Sequence, residues 1–431
     1  MNLTGKRLLL IMLFLGATRF CFSQREPDQV YMSTIRSVKL NPPNDPIGYP
    51  IIALNSADQL ELNFDDLSAG VKTYFYSLTL CNADWTPAQM NYFDYIKGYS
   101  QVRISNFRNS SISLTRYTHY QATLPDRSCM PFRSGNYLLK VFLNGDTTRL
   151  AFTRRLMVVD QRLPAAVIIQ QPFDQQLFST HQRLRITLDT KNVDVRYPQQ
   201  QLKLMVLQNY RWDNAVTLDA PTFMRSALLE YSNEQQLSFP AMKEFRWLNL
   251  RSFRLLGDRI RRQENSDSSF VLFAKEDLPR LPRQYFYYKD INGMCIYETV
   301  ERINPFWNAD YAHVHLSLRP PEGKPYGTAD VVVMGELTRY GKDPAAVMKF
   351  NAEKGMYETD LFLKQGYYDY AYALRVENNH TYLFDTAPIE QNAWETENAY
   401  LLLVYYRPLG GRYDELIAVR AVSSQINRSL Q

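Results

Sequence analysis

Short runs in which apolar and polar residues alternate are the feature that most constrains how this chain can fold. Leu60, Leu62 and Phe64 alternate with Glu61 and Asn63. A period of two places the two sets of side chains on opposite faces of an extended chain, so this run predicts a half-buried β-strand. The same period recurs along the chain, in residues 74–80, 137–143, 183–188, 202–206 and 314–318.

Composition supports a fold built from strands. The chain holds 30 Tyr and 23 Phe, and aromatic side chains suit the pleated, half-buried surface of a sheet. No amphipathic run is long enough to predict a helix of more than three turns. We therefore predict an all-β fold of tandem immunoglobulin-like β-sandwiches.

Breaks in the strand pattern divide the chain into three segments. Asp160 to Pro164 separates the first segment from the second, and Asn304-Pro305 precedes the third. Within the second segment, Asp290-Ile291-Asn292-Gly293 predicts a hairpin turn. The predicted domains are an N-terminal β-sandwich over 24–160, a middle β-sandwich-like domain over 161–308 and a C-terminal immunoglobulin-like domain over 309–431.

The first 23 residues are typical of a secretory signal peptide. Lys6 and Arg7 precede an apolar run over 8–15, and Cys21-Phe22-Ser23 supplies small residues for cleavage before Gln24. The apolar run is too short to span a bilayer. We therefore expect an exported protein whose mature form begins near Gln24.

The charge of the mature chain excludes strong electrostatic binding to nucleic acid. The formal charge of +5 includes Lys6, Arg7 and Arg19 of the predicted signal. The mature chain therefore carries a charge of only about +2, too little for long-range attraction to nucleic acid or to an acidic membrane.

Three cysteines remain after the predicted cleavage: Cys81, Cys129 and Cys295. An oxidising compartment permits one disulfide and leaves one thiol over. Cys81 and Cys129 lie in the same predicted domain and form the candidate pair. The alternative is three buried thiols that behave as small apolar residues.

The sequence gives no candidate catalytic, cofactor-binding or metal-binding residue. It contains no Gly-x-Ser-x-Gly, no His-Glu-x-x-His and no glycine-rich phosphate loop. His313 and His315 share one face of a strand, but no cysteine or acidic residue lies close by in that run. We expect a protein that is not an enzyme and needs no cofactor.

A cluster of arginines in the middle segment is a candidate surface for a partner. It is interleaved with Phe245, Trp247 and Phe253, and such mixtures occur in protein interfaces. The alternative, which we favour, is that the aromatic rings pack inward and the guanidinium groups face water. The arginines are Arg246, Arg251, Arg254, Arg259, Arg261 and Arg262.

The third segment is similar in layout to the glycogen-binding modules of the early-set immunoglobulin class. A buried strand, a glycine-aromatic strand at 355–358 and the aromatic run at 366–370 follow in that order. Tyr340 stands where those modules place a sugar-stacking tryptophan. The resemblance suggests an alternative function, a periplasmic or surface carbohydrate-binding protein.

Several motifs together resemble one family, the plug proteins of the type IX secretion system of Bacteroidota. The resemblance spans the mature chain, and its specificity comes from the order and spacing of the motifs. Cys129 is not part of any of them. The motifs are Cys-Asn-Ala-Asp-Trp at 81–85, Tyr-Thr-His-Tyr at 117–120, Ser-Gly-Asn-Tyr at 134–137, Glu-Phe-Arg-Trp-Leu-Asn at 244–249 with Arg-Ser at 251–252, Tyr-Lys-Asp-Ile-Asn-Gly at 288–293, Phe-Leu-Lys-Gln-Gly-Tyr-Tyr at 362–368, Glu-Thr-Glu-Asn at 395–398, Val-Tyr-Tyr-Arg at 404–407 and Gly-Arg-Tyr-Asp-Glu-Leu-Ile at 411–417.

The resemblance implies a periplasmic protein that binds the large outer-membrane β-barrel translocon of type IX secretion. The family's plug closes the periplasmic mouth of that barrel, so the protein would be peripheral to the outer membrane through its protein partner. It implies no catalytic residue and no cofactor. Among the motif residues, Trp85 and Trp247 are expected as buried anchors, whereas Tyr405, Tyr406, Arg407 and Arg412 are candidates for partner contact.

Overall fold

The computed structural model describes residues 27–68, 70–265, 269–282, 284–301, 303–378 and 381–425. The predicted signal peptide, residues 1–23, lies outside the described residues. The described part is all-β, as predicted, and its α-helices are single turns of four residues.

Residues 27–160 form a β-sandwich. One sheet has the order β1-β12-β11-β5-β7, with β3 parallel to β12, and the other has the order β2-β4-β9-β8. The alternating residues Leu62, Phe64 and Tyr76 point into the core between the sheets, as their period predicts. The strands are β1 (Gln29–Val30), β2 (Ile35–Asn41), β3 (Ile51–Ala53), β4 (Leu60–Asp66), β5 (Tyr74–Cys81), β6 (Ile96–Gly98), β7 (Val102–Ile104), β8 (Asn106–Asn109), β9 (Thr118–Leu124), β10 (Cys129–Pro131), β11 (Gly135–Leu143) and β12 (Leu150–Val159), with a 3-10 helix at Tyr92–Asp94.

The next segment supplies only part of a second sandwich. Its first sheet has the order β13-β14-β18-β17, and β19 also pairs with β14. A second sheet starts with the pair β15 and β16. The elements are β13 (Ala165–Gln170), β14 (His181–Asp189), α1 (Pro198–Gln201), β15 (Leu202–Gln208), β16 (Val216–Leu218), β17 (Phe223–Arg225), β18 (Leu228–Tyr231), α2 (Glu234–Leu237) and β19 (Ser238–Pro240).

A third sandwich follows before the second is complete. One of its layers is centred on β28, which pairs with β20, β23, β25 and β29, and the other has the order β21-β22-β24-β27-β26. The elements are β20 (Arg246–Asn249), β21 (Ile260–Asn265), β22 (Phe270–Ala274), β23 (Cys295–Ile296), β24 (Tyr311–Leu318), β25 (Asp330–Met334), β26 (Lys349–Asn351), β27 (Met356–Lys364), β28 (Tyr367–Asn378), β29 (Thr381–Asp385) and α3 (Ala387–Glu390), with 3-10 helices at Pro321–Gly323, Glu336–Thr338 and Pro344–Ala346.

The last two strands, β30 (Ala399–Tyr406) and β31 (Glu415–Ser423), return to the middle sandwich. β15 pairs antiparallel with β30, from Leu202 opposite Tyr406 to Gln208 opposite Tyr400. The sheets therefore do not follow the predicted division between residues 308 and 309. Strands β20 to β23, before that division, belong to the third sandwich, and β30 and β31, after it, belong to the middle one. The third sandwich is thus inserted between β19 and β30. Alternation identifies a strand and its buried face, but it does not identify the strand's partner.

The Asp-Ile-Asn-Gly motif forms a turn but not a hairpin. Asn292 and Gly293 have φ of 55° and 81°, the left-handed pair that a tight turn of this type requires. β23 then pairs with β28 instead of with a strand before the turn. A Cβ at position 293 would lie 2.7 Å from the Phe245 ring, so close packing also requires glycine there.

The three cysteines are buried and free. Cys81 lies in the cluster between the first and middle sandwiches, whereas Cys129 lies in the core of the first sandwich. The candidate disulfide between them is therefore absent, and the alternative of three buried thiols is the one observed. Burial raises the pKa of Cys129 to about 11, so its thiol stays protonated at neutral pH.

Candidate functional site: the junctions and the cleft between the sandwiches

A buried ion pair joins the first sandwich to the third. Asp65 Oδ2 accepts hydrogen bonds from Lys364 Nζ at 2.5 Å and from the Tyr311 hydroxyl at 2.6 Å. Asp65 Oδ1 lies 2.7 Å from Nδ1 of His119. None of the four side chains is exposed to a significant extent. Because each polar atom of Asp65 has a partner, the charge is tolerated inside the protein.

The pKa of Asp65 reflects this environment. Burial alone raises the pKa of the carboxyl group, but the Lys364 ammonium and the His119 imidazole outweigh burial, so the pKa is lowered. Burial lowers the pKa of Lys364, and Asp65 opposes that shift. A separated pair would leave a charge in a dry environment, so the pair favours one docking geometry for the two sandwiches.

Further hydrogen bonds cross the same junction. Lys39 Nζ donates to Glu336 Oε2 at 2.6 Å. The hydroxyl of Tyr117 donates to the carbonyl of Ala309 at 2.7 Å. The backbone amides of residues 114 and 115 donate to the carboxylate of Asp310 at 2.5 and 3.0 Å.

A second junction joins the first sandwich to the middle one. Asp414 Oδ2 accepts from the backbone amide of Ala83 at 3.0 Å, and its Oδ1 accepts from Arg407 Nε at 2.7 Å. Tyr405 donates its hydroxyl proton to Asn136 Oδ1 at 3.0 Å. Aliphatic and aromatic side chains from β5, β12, β15, β30 and β31 fill the space around these bonds.

Aromatic rings extend this second junction toward the solvent. The Arg155 guanidinium lies 4.2 Å from the centre of the Trp212 ring and 5.0 Å from that of Trp85. Asp28 forms an ion pair with the same arginine. Cation–π contact and ion pairing together fix the arginine between the two sandwiches.

Glu397 connects the middle sandwich to the third. Its Oε2 accepts from Asn292 Nδ2 at 2.9 Å, and its Oε1 accepts from the Ser423 hydroxyl at 2.5 Å. Asn292 belongs to the Asp-Ile-Asn-Gly turn of the third sandwich and Ser423 ends β31. The motifs singled out in the sequence therefore meet at all three junctions.

The two tyrosines that were candidates for partner contact are inside the protein. Tyr405 is 1% exposed and Tyr406 is 7% exposed, because they lie in β30 between two packed layers. Arg407 is held by Asp414, and only Arg412 presents a largely exposed side chain, paired with Asp94 at 3.2 Å. Trp85 is buried as expected and Trp247 is half-buried.

The arginine cluster of the middle segment lies in the third sandwich and is divided between interior and surface. Phe245 and Phe253 are buried, as expected, but Arg246 is buried with them. Its guanidinium donates to Asp277 at 2.8 Å and to Glu390 at 3.0 Å. The ion-pair partners of Arg246 are therefore buried, and Arg246 is not part of an open surface.

The histidine pair and the aromatic run of the third segment lack the arrangement of a metal site or of a sugar-stacking surface in the described residues. His313 and His315 share a face of β24, and His315 lies 3.0 Å from Asp360 and 3.3 Å from Glu358. No group of three or more potential ligands suited to a metal ion occurs in the described ranges. Tyr368 and Tyr370 are in the core, so they cannot stack on a sugar.

A cleft of about 440 Å³ opens where the three sandwiches meet. The first sandwich contributes β2 and residues 48–50, the middle one contributes Tyr210 and Trp212, and the third contributes Tyr340 and residues 360–364. Tyr49 and Tyr210 stack with ring centres 4.6 Å apart. Neither the cleft nor the buried pair of Asp65 and Lys364 was predicted from the sequence, because both depend on how separate domains dock.

These observations define an all-β protein of three interlocked sandwiches, with polar junctions between them and no catalytic constellation among the residues described. Residues 35–160 match the family model of the type 9 secretion system plug protein first domain. By this match the chain belongs to the plug protein family of the type IX secretion system.

A solved structure extends the likeness to nearly the whole chain. It is the crystal structure of a hypothetical protein from Parabacteroides merdae, 30% identical in sequence, with a TM-score of 0.86. The alignment covers 92% of this chain and 99% of that one. No curated protein matches this chain.

Family membership gives the chain a role in type IX secretion and an association with the secretion machinery of the cell envelope. The family is a component of that machinery and not a family of enzymes. Over the described ranges, none of the helices has the length and apolar character needed to cross a membrane.

Proposed function

We propose that this protein closes the periplasmic mouth of the outer-membrane β-barrel translocon of type IX secretion, by protein–protein contact and without catalysis. The observation that carries the proposal is the match of the first sandwich to the plug family's first domain. In this proposal the protein resides in the periplasm and reaches the outer membrane through the barrel.

The architecture supports a sealing role. A body that covers a wide opening must keep its shape, since independent domains would leave gaps between them. Buried ion pairs and hydrogen bonds at each junction oppose relative motion of the sandwiches, because separation would leave charges without partners. Sheets carrying variable loops also present a broad surface instead of a small pocket.

The exposed surface is suited to reversible contact. Large apolar side chains are exposed on each sandwich, for example Phe93, Phe173 and Phe286 at 75%, 81% and 74%. Dispersed anchors of this kind contribute binding energy without forming one extensive apolar face. A plug that must leave when cargo arrives needs such a moderate interface, since release rates fall steeply as affinity rises.

Two measurements test the proposal. A tagged copy of the mature protein, recovered from outer membranes solubilised in mild detergent, should co-purify with the barrel. The purified barrel in a planar bilayer should conduct ions when free and lose most of its conductance when the protein is added from the periplasmic side. A barrel that co-purifies but conducts equally with and without the protein would refute sealing, and failure to co-purify would refute the partner.

A further inference from the structure

The carboxylates of the cleft between the sandwiches already have partners. Asp28 is paired with Arg155, and Glu336 with Lys39. Asp213 is held by Arg211 at 2.6 Å. Of the remaining two, Asp360 bonds to His315 and Asp343 accepts from the backbone amide of Ala345.

Three arginines of the cleft donate hydrogen bonds only to backbone carbonyls, and Arg154 also lies 5.7 Å from the centre of the Phe152 ring. Arg154 donates to the carbonyl of Thr153 at 2.8 Å, Arg36 donates to that of Ser33 at 2.7 Å, and Arg339 reaches the carbonyl of Lys342 at 3.5 Å. Among the residues that the structure describes, no carboxylate forms an ion pair with any of the three. The cleft therefore has positive charge available to a ligand.

Burial makes this charge effective. Burial lowers the pKa of Arg154. The carboxylates of Asp28 and Glu336 oppose this shift, whereas repulsion from the neighbouring Arg339 adds to it. A negative group placed between the two guanidinium groups would relieve that repulsion. The interaction would be stronger than on an open surface, since a half-buried site is screened less by water and salt.

Two strand edges line the same cleft. β2 is the terminal strand of its sheet, and its residues 35–40 all contribute to the lining. β27 pairs with β24 along most of its length, but β26 covers only Met356, Tyr357 and Glu358 on the other side. Residues 360–364 therefore line the cleft and have no strand paired with them on one side. Unpaired strand edges are templates for an additional strand.

The aromatic wall offers hydrogen-bond donors as well. The Tyr210 hydroxyl and the indole nitrogen of Trp212 are buried and form no hydrogen bond of ordinary geometry, although the indole is close enough to the hydroxyl to oppose the rise that burial causes in the pKa of Tyr210. Arg155, which is 7% exposed, also has an unpartnered Nε atom beside these rings. Buried donors without partners are costly, so the three groups indicate that an acceptor completes the site.

We propose that the cleft binds an extended peptide segment that carries carboxylate side chains. The carboxylates lie between Arg154 and Arg339, the main chain pairs with the unpaired edge of β2 or β27, and apolar side chains contact Tyr49 and Tyr210. The proposal goes beyond closure of the barrel, because it concerns a separate site and stands whether or not the protein seals a pore.

The strand edges favour a peptide over a free phosphate or an acidic sugar. A small anion would use the guanidinium groups alone and would leave β2 and β27 unpaired. An extended peptide satisfies the cations and the strand edges together, with side chains alternating between the arginines and the aromatic wall.

Fluorescence anisotropy with the mature protein tests the proposal. The probe is a short dye-labelled peptide of alternating valine and aspartate, compared with peptides of alternating valine and asparagine or valine and lysine. We expect binding of the aspartate peptide only, and a loss of affinity of about tenfold in Arg154→Gln and in Arg339→Gln. Arg103→Gln, an exposed arginine on β7, is the matched control and should bind as the unmodified protein does.

Two competitors decide the chemistry of the ligand. The aspartate peptide with alternate backbone nitrogens methylated keeps its charge but cannot pair as a strand, and it should bind much more weakly. Inorganic phosphate should displace the probe only at concentrations high enough to weaken the binding by raising the ionic strength. Equal affinity in Arg154→Gln, Arg339→Gln and Arg103→Gln, or equal binding of the methylated peptide, would overturn the proposal. Efficient displacement by phosphate would instead identify a simple anion site and would also overturn it.

Discussion

Asp290 and Asp369 are two carboxyl groups packed against one turn of the third sandwich. Asp369 Oδ2 accepts from the backbone amide of Ile291 at 2.6 Å, while its Oδ1 is buried without a partner. Burial, with repulsion from Asp290, raises the pKa of Asp369 to about 8. Burial also raises the pKa of Asp290 to about 7, with smaller contributions from Glu397 and Glu244.

These shifts predict a loss of stability as the pH rises. A folded-state pKa above the unfolded value of 3.8 means that the folded state binds more protons. The contribution of the pair is therefore complete below about pH 4 and is lost as the pH rises through 7 and 8. Asp369→Asn keeps an acceptor for the amide of Ile291 and carries no charge, so this variant should lose less stability between pH 6 and pH 9. The free energy of unfolding should differ from that of the unmodified chain by roughly 1.4 kcal/mol for each unit by which the pKa of Asp369 is raised within that range.

Thermal unfolding of the two proteins at several pH values measures the effect. Asp219→Asn, which alters an exposed carboxylate, should reproduce the pH dependence of the unmodified chain. The same slope in Asp369→Asn and in Asp219→Asn would show that the buried pair does not titrate in this range.

At the scale of elements, β30 explains why the chain folds as an interlocked unit. Leu402 and Val404 face the core of the middle sandwich, whereas Leu401, Leu403 and Tyr405 face the first sandwich. Both faces of the strand are therefore buried, which accounts for its nearly continuous apolar sequence. The strand also pairs with β15, although a whole sandwich lies between the two strands in the sequence.

Truncation tests this role of the last strands. A chain that ends at residue 398 lacks β30 and β31, so β15 loses its partner and its apolar side chains become exposed. In hydrogen–deuterium exchange the amides of residues 202–208 should exchange rapidly, while those of β11 in the first sandwich keep their protection. A chain that ends at residue 425 retains both strands and serves as the control. Equal protection of residues 202–208 in the two chains would contradict the pairing.

At the scale of the whole molecule, buried charge fixes how the sandwiches dock. Lys364→Met leaves the carboxylate of Asp65 with only His119 and Tyr311, and breaking a buried ion pair costs about 3–5 kcal/mol. We expect the urea midpoint to fall and the first and third sandwiches to unfold in separate steps. The double change Asp65→Asn with Lys364→Met removes both charges and should recover much of the stability.

Lys191→Met is the control for that experiment. The Lys191 ammonium is 73% exposed and 3.8 Å from Asp189, so its loss should change stability by at most about 0.5 kcal/mol. If Lys364→Met proved no more harmful than Lys191→Met, the buried pair would not be what holds the two sandwiches together.

A sequence pattern predicts only those features of the structure that depend on residues close together in the chain. Period-two runs such as Leu60, Leu62 and Phe64 identify strands and their inner faces correctly, because alternation is a local property. Tyr405 and Tyr406 were candidates for partner contact, but both side chains are buried. Their burial depends on a neighbouring sandwich that no local pattern reveals. The signal available for the junction at Asp65 was a charged residue inside an apolar strand, which marks a buried pair but does not name its partner.

The sequence alone determined that this is an all-β protein with strands in recognisable order, and its motifs determined the family. The tertiary structure decided which strands share a sheet, that the third sandwich is inserted into the middle one, and that the motif residues lie at the junctions. It also decided where the cleft and its unpaired arginines lie. The physical reason is that strand formation depends on neighbours within a few residues, whereas strand pairing and charge burial depend on groups brought together from distant parts of the chain.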